Sequence, residues 1–221
     1  MQADFGKIIE IQQNQDGSRQ GIIAWPGALG KRPGAGQYFQ AHNLKETSAP
    51  AAISLFAGGL HPYAGGADQL QTAPGMPDSW LPGDPLLLRG PIGNKFRIPE
   101  DARRITLAAF GPFSAHLLPL AGEVLAAGGE VSLLMDGDFP ILPASIEVSP
   151  LANLTEALHW ADFAACATPL ENLDAAREQL SAAGGHTRMQ VLVHAPMPCG
   201  ALAACGVCAF TSSQAQHDTC L

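Results

Sequence analysis

The chain has 221 residues and a formal net charge of −8, with 47% hydrophobic and only 14% charged residues. This length and apolar content suffice for one or two packed domains and exclude a disordered chain, while the acidic balance without a basic run excludes a nucleic-acid-binding surface. Because no segment reaches 18 consecutive apolar residues and residues 1–20 lack the apolar stretch of a signal peptide, we expect a cytoplasmic protein without a membrane span.

Residues 1–98 are predicted to form a small antiparallel β-barrel. This region is rich in Gly and Pro, and its apolar runs are short, as at Gly21–Trp25, Ala52–Phe56 and Pro85–Arg89. Each run has the length of one strand and is bounded by turn residues, which is typical of small barrels and sandwiches. The Gly- and Pro-rich stretch Gly58–Pro82 is predicted to be a long loop.

In residues 99–193 the pattern changes to alternating strands and helices. The predicted strands are Arg104–Phe110, Val131–Met135, Asp162–Cys166 and Met189–His194, and the predicted helices are Ala115–Gly128, Leu151–His159 and Leu170–Ala183. Strands that alternate with helices are typical of α/β folds. We therefore predict a parallel, doubly wound sheet for this region.

Residues 194–221 form a third segment, which contains four of the five cysteines. The four are Cys199, Cys205, Cys208 and Cys220, separated by five, two and eleven residues. Three thiolates from one tight loop and a fourth from a later element form the ligand set of a [2Fe–2S] cluster. Zinc sites usually combine two C-x2-C pairs, and a reducing compartment disfavours disulfides, so a zinc site and a disulfide are the weaker alternatives. The fifth, Cys166, lies in an apolar strand and is predicted to be a buried, inert thiol.

Several motifs resemble the electron-transfer subunit of class B dihydroorotate dehydrogenase, which belongs to the ferredoxin–NADP reductase-like family. The iron–sulfur loop of that subunit is similar to Pro196–Cys208. Other matching segments are Gly36–Tyr38, Leu81–Asp84, Arg89–Phe96, Trp160–Phe163 and Val191–Ala195. The resemblance implies an FAD-type barrel in residues 1–98, an NAD-type α/β domain in 99–193 and a [2Fe–2S]-binding segment in 194–221. It also implies a partner oxidoreductase, which in that family is the dihydroorotate-oxidising catalytic subunit of pyrimidine biosynthesis.

The family's FAD motif is only partly present. The family has Arg-Pro-x-Ser, in which the arginine binds the flavin diphosphate and the serine lies near the isoalloxazine, whereas this chain has Ala51-Ala-Ile-Ser54. The resemblance assigns Ser54, Gly90 and Gly93 to FAD binding. The alanine at position 51 lacks the charged donor, which we expect to cost about 1.5–3 kcal/mol of binding free energy. The residues that could replace this donor are His42, Lys45 and Arg89.

In this chain the family's NAD motif is less well preserved than its FAD motif. Its Gly-Gly-Gly-x-Gly-x-Ala-Pro turn brings the backbone close to the diphosphate at a helix N-terminus. The corresponding stretch Ala109–His116 retains only two of these residues. Phe110 and Phe113 add bulk where the phosphates would lie, and Pro112 removes an N–H donor. We therefore predict that NAD is not bound in the family's way and that this domain is retained as a scaffold.

Three functions are compatible with the sequence. The first is an electron-transfer subunit that passes electrons through a [2Fe–2S] cluster to or from a partner oxidoreductase and is not a complete enzyme by itself. The second is a non-redox structural or regulatory module with a zinc site. The third is a full reductase that uses both NAD and FAD. The seven histidines form no H-x3-H or H-E-x-x-H pattern, so they are predicted to be surface or core residues.

Overall fold

The computed structural model describes residues 3–14, 16–46, 52–63, 65–66, 68–137, 141–183 and 187–195, together with the backbone of residues 209–211 and 218–220. These residues form a six-stranded sheet, a five-stranded sheet and a separate pair of short strands. The six-stranded sheet is antiparallel, and the five-stranded sheet that follows it is parallel. This succession confirms the fold class predicted from the sequence.

The antiparallel sheet curls toward a barrel. Its strands are β1 (Ala3–Gln13), β2 (Arg19–Ala24), β3 (Tyr38–Asn43), β4 (Ile53–Phe56), β5 (Gln69–Gln71) and β6 (Pro85–Ile92), in the spatial order β4-β3-β6-β1-β2-β5. A bridge between Ala57 and Thr72 joins the segments that follow the two edge strands. Because the two edges are brought together in this way, neither of them is left as an open template for another chain.

Alternating residues of these strands face a common core. The fully buried members include Ile8, Ile23, Phe39, Leu55, Leu70, Leu86 and Leu88, and Trp80 joins them from the Gly- and Pro-rich stretch. That stretch was predicted to be a loop throughout, which is wrong, because it contains β5. Leu70 is the only apolar residue of β5, so a strand of three residues leaves no pattern that the sequence could reveal.

The parallel sheet contains β7 (Arg104–Ala109), β8 (Glu130–Met135), β9 (Ile146–Ser149), β10 (Phe163–Pro169) and β11 (Arg188–His194), in the order β11-β10-β7-β8-β9. Its helices are α1 (Ser114–Ala126), α2 (Leu154–Trp160) and α3 (Leu173–Ala182), and short 3-10 turns precede α2 and α3. The remaining strands, β12 (Ala209–Thr211) and β13 (Asp218–Cys220), form an antiparallel pair.

Helices cover both faces of the parallel sheet. Helix α1 packs on one face with Leu117 and Leu120 against Leu107 of β7. Helices α2 and α3 pack on the other face with Leu158 and Leu180. The sheet is therefore doubly wound, as predicted. In the described part of the chain the longest helix, α1, has 13 residues, and no helix has both the length and the apolar character needed to span a bilayer.

The two sheets share a packed interface at helix α1. Ala35 and Phe96, which lie outside the parallel sheet, belong to the same buried cluster as the apolar face of α1. The segment after β4 approaches the helix so closely that a Cβ atom on Gly122 would lie 1.8 Å from the carbonyl oxygen of Leu60. Only a glycine allows these two stretches of backbone to meet at this distance.

Candidate functional site

Four aromatic rings meet between the barrel and the parallel sheet. Phe56 ends β4, Phe113 precedes α1, His116 lies in the first turn of α1, and His194 ends β11. We call these four residues the ring cluster. The ring centroids are 4.7 Å apart for Phe56 and His116, 5.0 Å for Phe113 and His194, and 5.9 Å for the two histidines. These separations are typical of directly packed aromatic side chains.

The ring cluster lies at the edge of the sheet where ligands bind in doubly wound folds, beyond the carboxyl ends of the strands. His194 is the last residue of β11, and Phe113 lies in the turn that connects β7 to α1. The chain's own side chains therefore occupy part of this edge. The sequence indicated only the bulk of Phe113, because the other rings come from distant parts of the chain.

The turn between β7 and α1 offers few backbone donors. The Phe110 N–H donates to the Ala167 carbonyl at 2.8 Å, and the Phe113 N–H donates to the Gly111 carbonyl at 2.8 Å. Pro112 has no N–H group at all. Because a diphosphate at a helix N-terminus is held by free backbone N–H groups, this turn fits a nucleotide diphosphate less well than the family's glycine-rich turn would.

The charge state of the ring cluster depends on burial. His116 is buried, and its Nδ1 has no hydrogen-bond partner among the residues described. Burial lowers the pKa of His116 to about 3, and the charge of His194 acts in the same direction, whereas the Phe113 backbone opposes it. Burial also lowers the pKa of His194, and Glu171 opposes that shift. The cluster is therefore uncharged at neutral pH.

We expect His116 to make the protein sensitive to mild acid. Its pKa is lower in the folded chain than in the unfolded chain, so between about pH 6.5 and pH 3 the unfolded chain binds more protons. The free energy of unfolding therefore falls as the pH falls, by about 2 kcal/mol from pH 7 to pH 5. Denaturant unfolding of wild type and His116→Phe at both pH values measures this, and the variant should lack the additional loss.

The exposed His159 on α2 provides a matched control for this experiment. The variant His159→Gln should keep the acid sensitivity of the wild type. Parallel pH profiles for wild type and His116→Phe would contradict the assignment of His116 as a buried, neutral imidazole.

A row of polar side chains crosses the outer face of the barrel. Ser54 of β4 pairs with Gln40 of β3, and Gln40 pairs with Arg89 of β6. Their strand neighbours Phe39, Leu55 and Leu88 point into the barrel core, so these three side chains point outward. We call Ser54, Gln40 and Arg89 the donor row. It lies beside Tyr38 and Phe56, the next pair of β3 and β4 toward the ring cluster.

Gly90 and Gly93 have roles in the fold. A Cβ atom on Gly90 would lie 2.9 Å from the Cβ atom of Phe39, so β6 passes β3 too closely for a side chain. Gly93 has a φ of +81°, which favours glycine, and its neighbour is the ring of Tyr38. Both glycines therefore shape the strand that carries Arg89, whether or not they also contact a ligand.

Most of the cysteine site lies outside the described residues. This applies to Cys199, Cys205 and Cys208, while Cys220 is described as backbone in β13. The register of β12 and β13 pairs Cys220 with Ala209, the residue that follows Cys208 in the sequence. Among the described side chains, no group of three or more His, Cys, Asp or Glu residues could hold a metal ion.

Solved structures identify the fold. A ferredoxin NADP+ reductase from Neisseria gonorrhoeae with bound FAD and NADP is 16% identical, with a TM-score of 0.61 over 87% of this chain and 99% of its own. Phthalate dioxygenase reductase, described as a modular structure for electron transfer from pyridine nucleotides to [2Fe–2S], is 12% identical, with a TM-score of 0.61 over 87% of this chain and 68% of its own. No family model and no curated protein matches.

A longer protein contains the same fold as one part. An intact type IV self-sufficient cytochrome P450 monooxygenase is 16% identical, with a TM-score of 0.62 over 86% of this chain, which spans 28% of that protein. At these identities the likeness concerns the fold alone. The chain therefore has the ferredoxin reductase-like fold, whose solved examples include electron-transfer reductases that work with oxygenases.

Proposed function

We propose that this chain is an electron-transfer subunit that carries a [2Fe–2S] cluster on Cys199, Cys205, Cys208 and Cys220. The observation that carries the proposal is the position of four cysteines within the last 23 residues, directly after a ferredoxin reductase-like barrel and sheet. Such a cluster accepts and donates single electrons. The proposal keeps the division into residues 1–98, 99–193 and 194–221.

The barrel is proposed to bind FAD. The donor row fits a flavin nucleotide, because it presents a hydroxyl, an amide and a guanidinium on one outward face. Ser54, Gly90 and Gly93 remain the residues assigned from the resemblance. Bound flavin would exchange two electrons with a substrate or nucleotide and single electrons with a cluster.

Pyridine nucleotide binding at the family's position is not part of the proposal. In the β7–α1 turn two N–H groups already donate to carbonyls and Pro112 has none, and the ring cluster occupies part of the same edge. Two solved structures of the same fold nevertheless bind NADP or take electrons from pyridine nucleotides. A titration with NADH decides the matter, because bleaching of a flavin band would show that this chain is a full reductase.

The partner is proposed to be another oxidoreductase. The chain resembles a subunit that serves dihydroorotate oxidation, and solved structures of the same fold include a phthalate dioxygenase reductase and one part of a self-sufficient cytochrome P450 monooxygenase. Because the cysteine loop Pro196–Cys208 carries the more specific resemblance, we favour the dihydroorotate-oxidising catalytic subunit of pyrimidine biosynthesis as partner. Co-purification with that subunit, followed by electron transfer from dihydroorotate to the cluster, would test this choice.

The first experiment is an absorbance spectrum of anaerobically purified protein, with iron, zinc and flavin quantified on the same sample. Broad visible bands with about two irons per chain are expected. Stoichiometric flavin would support the FAD part of the proposal. A colourless sample that contains zinc would contradict the electron-transfer function and favour the structural or regulatory module.

A further inference from the structure

Gln40 is an unusual residue at the centre of the donor row. It is only 3% exposed, yet its amide Nε2 has no hydrogen-bond partner among the described residues. A buried amide that lacks a partner destabilises the folded state. An acceptor that arrives with a ligand would satisfy this group.

Arg89, the next member of the row, has a side chain without a partner in the described part of the chain. The residue is of intermediate exposure, and within the described ranges it forms no ion pair and no side-chain hydrogen bond. Its guanidinium is not among the buried groups without a partner, so it is accessible to a ligand. A guanidinium presents five donors in a planar fork that suits phosphate oxygens.

Of the other two candidates to replace the missing arginine, one is already engaged. Lys45 Nζ lies 2.7 Å from Asp84 Oδ1, and Asp84 also accepts hydrogen bonds from Asn43 and from the Leu81 N–H. The other candidate, His42, is an imidazole and offers at most two N–H donors, whereas a guanidinium offers five. Of Lys45 and Arg89, only Arg89 has no ion pair within the described ranges.

We propose that Arg89 and Gln40 together bind the diphosphate of FAD in place of the arginine that is alanine at position 51. The inference rests on the proposed FAD function and adds its anion-binding residues. In this chain the positive charge has moved from the segment before β4 to β6, two strands away, and the buried amide of Gln40 supplies a neutral donor beside it.

The experiment compares FAD with riboflavin, which has no phosphate. Affinities of the full-length protein for both are measured by flavin fluorescence quenching after bound flavin is removed. Arg89→Met should weaken FAD binding about tenfold to hundredfold and leave riboflavin binding unchanged. Arg89→Lys should restore part of the FAD affinity, and added salt should weaken FAD binding less in Arg89→Met than in the wild type.

A second variant tests Gln40 with a readout that does not depend on flavin. Gln40→Met removes the amide at similar volume, so the flavin-free protein should be at least as stable to denaturant as the wild type, while its FAD affinity falls. If Arg89→Met does not fold, the FAD affinity and the stability of Gln40→Met test the proposal by themselves. The matched control is Lys7→Met, which removes an exposed charge on the neighbouring strand β1 and should change neither affinity.

The two possible failures are distinguishable. If the wild type binds neither FAD nor riboflavin, the FAD part of the proposed function is wrong, and this inference is wrong with it. If the wild type binds FAD and Arg89→Met binds it equally well, only this inference is overturned. Equal losses of FAD and riboflavin affinity, together with lower stability, would also overturn it, because they would show a structural role for the row.

Discussion

Replacing Cys205 or Cys208 with serine is expected to abolish the visible absorption of the purified protein and most of its iron. A [2Fe–2S] cluster is held by four ligands, and a serine hydroxyl is not deprotonated at neutral pH and is a harder ligand than a thiolate. Both positions lie in the short sequence segment that supplies three of the four proposed ligands. The measurement is the spectrum of each variant with iron quantified on the same sample.

Cys166 provides the matched control for the cysteine variants. It is fully buried in β10, and burial raises the pKa of its thiol to about 12. The thiol is enclosed in the apolar cluster between the sheet and helices α2 and α3, where iron cannot reach it, so Cys166→Ala should keep the full iron content and colour. Loss of iron from Cys166→Ala, or full colour in Cys205→Ser, would contradict the ligand assignment.

The architecture was predictable because the strands of the parallel sheet leave a clear pattern of apolar residues in the sequence. Its central strands are buried on both faces, so Arg104–Phe110 and Val131–Met135 appear in the sequence as continuous apolar runs, and β7 and β8 occupy nearly the same residues. The barrel was harder to predict in detail. Only Ile8 of the eleven residues in β1 is buried, so this strand carries no apolar alternation to detect.

The candidate site was predictable only where its residues are close together in the sequence. The cysteines lie in one short segment, and their spacing is visible without a structure. The donor row and the ring cluster draw on residues from separate strands and helices, so only the register of β3, β4 and β6 shows that Gln40 lies between Ser54 and Arg89. The sequence also could not separate Arg89 from Lys45 as a binder of anions, because the ion pair of Lys45 with Asp84 joins residues that are 39 positions apart.

The ring cluster and the donor row together indicate a division of roles. The ring cluster packs side chains at the edge where a second nucleotide would lie, whereas the donor row contains a buried amide, that of Gln40, without a hydrogen-bond partner among the described residues. Unsatisfied buried donors lower the stability of the unliganded protein and therefore favour the liganded one. We therefore expect an electron carrier that holds its flavin tightly and exchanges electrons with a protein partner, not with a free nucleotide.

Replacing Gly122 with alanine is expected to destabilise the protein by about 3 kcal/mol, near the upper end of the usual cost of overpacking. An alanine in a helix interior is ordinarily about 1 kcal/mol more favourable than a glycine. Here the new Cβ atom would lie 1.8 Å from the Leu60 carbonyl oxygen, a backbone atom that has no side-chain rotation with which to move away. Thermal unfolding should show a midpoint about 6–12 °C lower, given the size of the chain.

The control for this prediction is Gly27→Ala, because a Cβ atom on Gly27 would meet nothing within 4 Å. This variant should change the free energy of unfolding by less than about 0.5 kcal/mol. If Gly122→Ala were instead more stable than the wild type, helix α1 and the segment around Leu60 would not be in contact in solution. The ring cluster depends on the same approach of barrel and helix, through the contact of Phe56 with His116. It would then be open to a ligand and would no longer keep a second nucleotide from this edge of the sheet.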